Sequence, residues 1–143
     1  MKVIVDCNKI ISALLSPDGT TAEIILRTPN RISFIAPHFI FTEIFENLEK
    51  IIRISKYSNE EFFDLLYILF KKVDLIDEDL ITEECWKAAY EFTKDIDEKD
   101  TVYIALSLYT EVKLWTGDKV LKEGMKNKGF NSFIETEEIL NSL

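Results

Sequence analysis

Along this chain short apolar runs alternate with longer stretches of helical period. Val3, Ile4 and Val5 form the first run, and residues 32–36, 73–76, 113–116 and 131–134 repeat the pattern. Runs this short, bounded by turn residues, predict buried strands. Between them the apolar spacing changes to that of helices. One covers residues 10–15. Thr20-x-x-Glu23 is a capping box that opens a second helix through Leu26. Phe41, Ile44, Phe45, Leu48, Ile51 and Ile52 predict a single helix over residues 38–52. Ser58-x-x-Glu61 opens another over residues 59–71, and Thr82 caps one that carries Cys85, Trp86, Ala88, Ala89 and Phe92. Ile104, Ala105 and Leu108 face inward from a helix over residues 100–109. A basic helix over residues 119–128 is stopped by Gly129, and the last helix begins near Thr136. The breaks fall at Pro17-Asp18-Gly19, Pro29-Asn30, Pro37, Gly117 and Gly129.

Strands that alternate with helices over short connections specify a parallel sheet with helices on both faces. A length of 143 residues suits one domain, 1–143, and no linker or repeat divides it. Such a chain buries roughly two-thirds of its unfolded surface, so neither disulfides nor metal is needed merely to fold. The helix over residues 59–71 is apolar nearly all round, through Phe62, Phe63, Leu65, Leu66, Ile68, Leu69 and Phe70. A helix of that kind is either deeply buried or covered by a partner or second subunit. Cys7 and Cys85 fit neither a disulfide framework nor a zinc motif and read as buried free thiols of a reducing compartment. The acid at position 6 is at odds with a signal peptide, and no apolar run reaches the roughly 18 residues of a membrane span. A soluble, cytoplasmic protein is expected.

Charge complicates the choice of partner. The chain carries 26 acidic and 17 basic residues, a net −9, whereas phosphate binders are usually basic. The excess is local. Residues 1–72 hold 9 basic and 9 acidic residues, while residues 74–100 hold 3 lysines and 11 acids, a net −8. Acids such as Asp77, Glu78, Asp79, Glu83 and Glu84 read as a solvated face or a docking surface for a basic partner.

In sheets of this kind ligands bind past the carboxyl ends of the strands, at a switch in strand order. Asp6 directly follows the first strand. Asp118 follows the fourth, in Leu114-Trp115-Thr116-Gly117-Asp118, and Asp100 starts a helix. A strand end needs no carboxylate, and gathering several costs like-charge repulsion. A hard, oxygen-liganded cation, Mg²⁺ or Mn²⁺, relieves that repulsion, and the chain has no Cys/His set for a softer metal. Each acid also has a plainer role: Asp6 as a helix cap, Asp97-x-x-Asp100 as a capping arrangement, Asp118 as a turn or cap residue. The single histidine, His38, reads as structural or exposed. Trp86 and Trp115 read as core residues rather than base-stacking platforms. Lys119, Lys122, Lys126 and Lys128 either touch substrate phosphates or form a solvated helix face.

The segment Val3-Ile4-Val5-Asp6-Cys7-Asn8-Lys9-Ile10-Ile11-Ser12-Ala13-Leu14 resembles the opening motif of PIN-domain nucleases. Asp100-Thr101-Val102-Tyr103-Ile104-Ala105-Leu106-Ser107-Leu108, followed by Leu114-Trp115-Thr116-Gly117-Asp118-Lys119-Val120-Leu121, resembles the second half of the same signature. Order, spacing and length agree over nearly the whole chain. The resemblance implies an α/β fold: a three-layer α/β/α sandwich around a central, mostly parallel five-stranded sheet. It implies four acids in one groove, with Asp6, Asp100 and Asp118 at the first, third and fourth positions and Glu43 at the second. Glu46 is the nearest rival, and a solvated surface glutamate is the plainer role of Glu43. Asn8 and Thr116 match accessory polar positions, Asp97 is an outer ligand or only a cap, and Lys119 and Lys122 are candidate phosphate contacts. Cys7 stands where Thr or another small residue is common, and Lys9 where an apolar one is. The implied activity is Mg²⁺- or Mn²⁺-dependent hydrolysis of RNA, single-stranded, as the toxin of a toxin–antitoxin pair, with an antitoxin and a homodimer as candidate partners. The alternative is a catalytically inactive PIN-like module that binds protein or RNA. Receivers and aspartate-nucleophile phosphatases also place an Asp at a strand end, but Asn8 breaks the Asp-x-Asp that the phosphatase needs.

Overall fold

Val3 and Val5 point to one face of the first strand and Ile4 to the other, and all three are fully buried. A strand apolar on both faces must be covered on both. The computed structural model describes residues 1–27 and 31–143, so the expected break at Pro29-Asn30 lies outside the described residues. Strands β1 (Lys2–Val5), β2 (Ser33–Pro37), β3 (Val73–Ile76) and β4 (Leu114–Trp115) form an all-parallel sheet in the order β3-β2-β1-β4. Val3 pairs with Phe34, Ile4 with Leu114 and Val5 with Trp115.

Helices α1 (Cys7–Leu15), α2 (Thr20–Arg27), α3 (Phe39–Glu46), α4 (Leu48–Ser55) and α5 (Asn59–Phe70) precede β3. After it come α6 (Glu83–Thr93), α7 (Thr101–Thr110), α8 (Lys119–Asn127) and α9 (Thr136–Asn141). Two cores follow from the strand alternation. Val3, Val5, Phe34, Ala36 and Trp115 pack with side chains of α1 to α5 and with Ile139 of α9. Ile4, Ile35 and Leu114 pack on the other face against Ala89 of α6, most of α7, and Leu121 and Met125 of α8. The result is the expected α/β/α sandwich.

Three local expectations are corrected. The sheet has four strands among the described residues rather than five. The predicted fifth, residues 131–134, shrinks to one parallel bridge between Phe133 and Leu114, because β4 offers only two residues to pair with and Glu135 already starts the cap of α9. The single helix over residues 38–52 is two. Asn47 breaks it at φ −109°, ψ 11°, its side-chain amide donating to the Glu43 carbonyl at 2.9 Å. The box at Thr20 does not form. α2 begins at Thr20 itself, and Gly19 supplies the first carbonyl, to Glu23 N–H at 3.0 Å.

The remaining local signals read true. Ser58 and Glu61 form their reciprocal capping box, and Thr82 accepts the Cys85 N–H. Gly129 ends α8 at φ +92°: its N–H reaches the Lys126 carbonyl while Phe130 N–H reaches that of Met125, a closure that a residue with a Cβ rarely adopts. His38 is exposed and Trp115 is fully buried; both cysteines are free thiols, Cys7 buried as expected and Cys85 only half-buried. Among the described residues no helix is long and apolar enough to cross a membrane.

The apolar α5 divides its side chains. Phe62, Leu66 and Leu69 are buried, whereas Phe63, Tyr67 and Ile68 lie on the outside, 42%, 64% and 48% exposed. Leu69→Ala is expected to lower stability by about 2–5 kcal/mol in urea unfolding, against under about 0.5 kcal/mol for Ile68→Ala in the monomer. Equal costs at the two positions would overturn this assignment of faces.

Candidate active site

β1 sits where the strand order switches, with β2 on one side and β4 on the other, so the ends of β1 and β4 border the crevice of the sheet. Asp6 is the first residue past β1. Its extended backbone turns the chain into α1, and its Oδ1 accepts the Lys9 N–H at 2.9 Å. Capping accounts for that conformation. It does not account for burial, since caps are ordinarily solvated and Asp6 is only 6% exposed. Thr116, 2% exposed and just past β4, donates its hydroxyl to the Asp6 side chain. The same Oγ1 accepts the Asp118 N–H at 3.1 Å. One threonine thus ties together the acids of two adjacent strand ends. Asp118 in turn caps α8, its Oδ1 accepting the Leu121 N–H at 3.0 Å.

The other two candidate acids come from opposite layers. Glu43, in the middle of α3, is half-buried, and the Tyr103 phenol of α7 donates to its Oε1 at 2.5 Å. Glu46, its rival, is exposed. Asp100 ends the single-turn 3-10 helix Glu98–Asp100 and leads into α7. Its Oδ2 is buried and, among the described residues, has no hydrogen-bond partner. Asp97 caps that turn through the Lys99 N–H at 3.0 Å.

These acids feel one another. Burial, followed by the fields of Asp97, Asp118, Asp6 and Glu43, pushes the Asp100 carboxyl up to about 7. Burial also raises Asp6 against the lowering effect of its Thr116 and Lys9 hydrogen bonds, and Asp118 raises it further. Glu43 is raised by burial first; the Tyr103 hydrogen bond opposes this, and Asp6 and Glu46 add to it. The convergence is one of field rather than of coordination. Among the described residues no three Asp, Glu, His or Cys side chains are arranged to hold an ion as they stand. The chemistry of the set nevertheless suits a hard divalent cation: it offers oxygen alone, it is strongly negative, and it includes a buried carboxylate oxygen with no partner among the described residues.

Of the other candidates, Asn8 is exposed and lines a groove shared with Asn47 and Lys50. Lys119 is exposed, while Lys122 pairs with both carboxylate oxygens of Glu135 at 3.1 Å. Lys128 is tied to Asp95 and to the carbonyls of Glu91 and Phe92. Two residues went unassigned in the sequence. Tyr103 was visible only as the aromatic position one turn after Asp100. Lys9 was noted only as a departure; it is half-buried, its Nζ lies 4.9 Å from the Trp115 ring centroid, and Asp6 acts on its charge.

Residues 4–140 match the family model of the PIN domain. The chain belongs to the PIN-domain family. PIN domains are generally nucleases that use divalent metals. Two solved structures have the same fold. One is VapBC2 from Rickettsia felis, bound to a DNA fragment from its promoter, with a TM-score of 0.65 and 14% identity, covering 94% of this chain and 97% of that one. The other is PAE2754 from Pyrobaculum aerophilum, with a TM-score of 0.67 and 15% identity, covering 99% of this chain and 89% of that one. No curated protein matches the chain.

The strain in this PIN domain has a measurable consequence. Between pH 3.8, the ordinary value of an aspartate, and about 7, folded Asp100 retains a proton that the unfolded chain has lost. Stability therefore falls as pH rises through that window. In metal-free buffer at pH 8, Asp100→Asn is expected to be the more stable protein by about 1–2 kcal/mol, allowing for solvent screening, with the gap closing near pH 4. Urea unfolding at the two pH values measures this; a variant less stable than the wild type at pH 8 would contradict the reading.

Proposed function

We propose that this PIN domain is a metal-dependent endoribonuclease, the toxin of a toxin–antitoxin pair, acting in the cytoplasm on single-stranded RNA. One observation carries the reading: Asp100 places a buried oxygen, partnerless among the described residues, within the combined field of Asp6, Glu43, Asp97 and Asp118. Asp6, Glu43, Asp100 and Asp118 would hold Mg²⁺ or Mn²⁺. Bound there, the ion supplies positive charge that polarises a phosphodiester and lowers the pKa of water.

The chain's own residues supply the rest. Thr116 orients Asp6 through its hydroxyl and fixes the backbone of Asp118. Tyr103 holds Glu43 in place from the opposite layer. Lys9 brings a positive charge beside Asp6, and Lys119 stands exposed beside Asp118, where a substrate phosphate can meet it. Asp97 is the cap of its turn and an outer contributor to the field. No side-chain nucleophile is required. An antitoxin, or a second copy of the chain, finds its apolar contact on the outer side of α5, at Phe63, Tyr67 and Ile68. The neighbour from Rickettsia felis, a VapBC complex, supports the pairing with an antitoxin.

RNA cleavage by the purified chain with Mn²⁺ tests the reading. Chelation by EDTA is expected to abolish cleavage, and Asp6→Asn to slow it on the order of a hundredfold or more. Cleavage that survives both would refute the mechanism, and metal binding without cleavage of any RNA would favour the inactive module.

A further inference from the structure

An open cavity of about 280 Å³ that the mechanism above leaves unused lies near Glu43, on whose charge its wall residue Lys99 acts. Its walls come from the two helix starts that carry site acids. Phe39 opens α3, four residues before Glu43, and Glu98, Lys99, Thr101 and Val102 bracket Asp100 in the chain. Trp86 of α6 and Glu78 complete the lining. Both aromatic side chains are half-buried, packed against the core on one side and lining the cavity on the other.

We infer that this cavity is a subsite for a guanine base of the RNA substrate, next to the bond that is cut. The inference rests on the nuclease reading above. Size limits the occupant first. Ligand sites for drug-sized molecules run to roughly 300–1,000 Å³, so this volume suits one ring system rather than a longer piece of chain. Charge limits it next. Two carboxylates at the walls, Glu78 and Glu98, repel phosphate, so the base enters and its phosphate stays outside. Aromatic walls favour a flat π-system, as in other sites that bind unstacked bases.

The polar groups then select among the bases. Glu78 is fixed in place because its Oε1 accepts the Phe39 N–H at 3.0 Å. A carboxylate only accepts, and guanine presents two adjacent donors, N1–H and the N2 amine, on its Watson–Crick edge. Adenine and cytosine place an acceptor beside a single amine, and uracil flanks one N–H with two carbonyls. Guanine O6 and N7 accept from a lysine, and Lys99 is an exposed donor on the same wall.

Mononucleotide binding tests this without any cleavage step. GMP, AMP, CMP and UMP are titrated in EDTA while tryptophan fluorescence is followed; Trp115 is fully buried and bonded to Thr136, so Trp86 carries the response. GMP is expected to quench saturably and to bind about tenfold tighter than AMP, and Glu78→Gln and Lys99→Ala each to weaken GMP by about five- to tenfold. Lys99 is exposed, so its variant reports even if Glu78→Gln fails to fold. GMP that binds no better than the other three nucleotides, or that ignores Lys99→Ala, overturns the subsite. In that event cleavage assays still decide the nuclease reading independently.

Discussion

Like charges held close together at the edge of a parallel sheet are the constraint from which the rest of this molecule is best understood. A hydrophobic sheet buried on both faces has its polar opportunities at the strand ends, and this one fills them with acids. Asp6 and Asp118 arrive on adjacent strands, and Glu43 and Asp100 from the helical layers on either side. Three of the acids, Asp6, Asp97 and Asp118, each give one oxygen to a backbone N–H of a cap, which holds them in place without neutralising them. Asp100 has no such bond at Oδ2 among the described residues, and its carboxyl is pushed up to about 7. A capping role therefore does not exclude a ligand role. The cap aims the carboxylate, and the field is what a cation would relieve.

The same view disposes of the overall acidity. Most of the charge excess in residues 74–100 lies outside the site. Glu83 pairs with Lys87, Glu91 with Lys94, and Asp95 with Lys128. Asp77 caps a short turn and Glu78 holds the start of α3. Exposed pairs of this kind contribute little to stability and act mainly on solubility and on which ligands approach. A net −9 is thus compatible with an RNA substrate, provided that the phosphate is met by a cation and not by a basic surface.

The layers were legible in the sequence because buried parallel strands and capped helices leave strong local marks: Val3 to Val5, the Ser58–Glu61 box, Thr82, and Gly129 after a basic helix. The misreadings share one cause. Asn47, Thr20 and residues 131–134 are decided by what the backbone meets in three dimensions, not by their own propensity. For the site, Asp6, Asp100 and Asp118 could be placed from strand ends, and Glu43 only from the family signature. Its hydrogen bond to Tyr103, 60 residues away, left no local mark. Nor did the position of Lys9 over Trp115, which depends on the pairing of β1 with β4. Trp86 read as core and does pack against it, but that it also borders a cavity left no local mark.

The central claim is that the carboxylates form one electrostatic unit that a divalent cation discharges. Calorimetric titration of Mn²⁺ at pH 6, in two buffers of different ionisation enthalpy, measures the protons released on binding. With the Asp100 carboxyl near 7, the account predicts saturable binding with release approaching one proton at pH 6, fading by pH 8.5. Absence of binding, or binding with no proton release at pH 6, would contradict it.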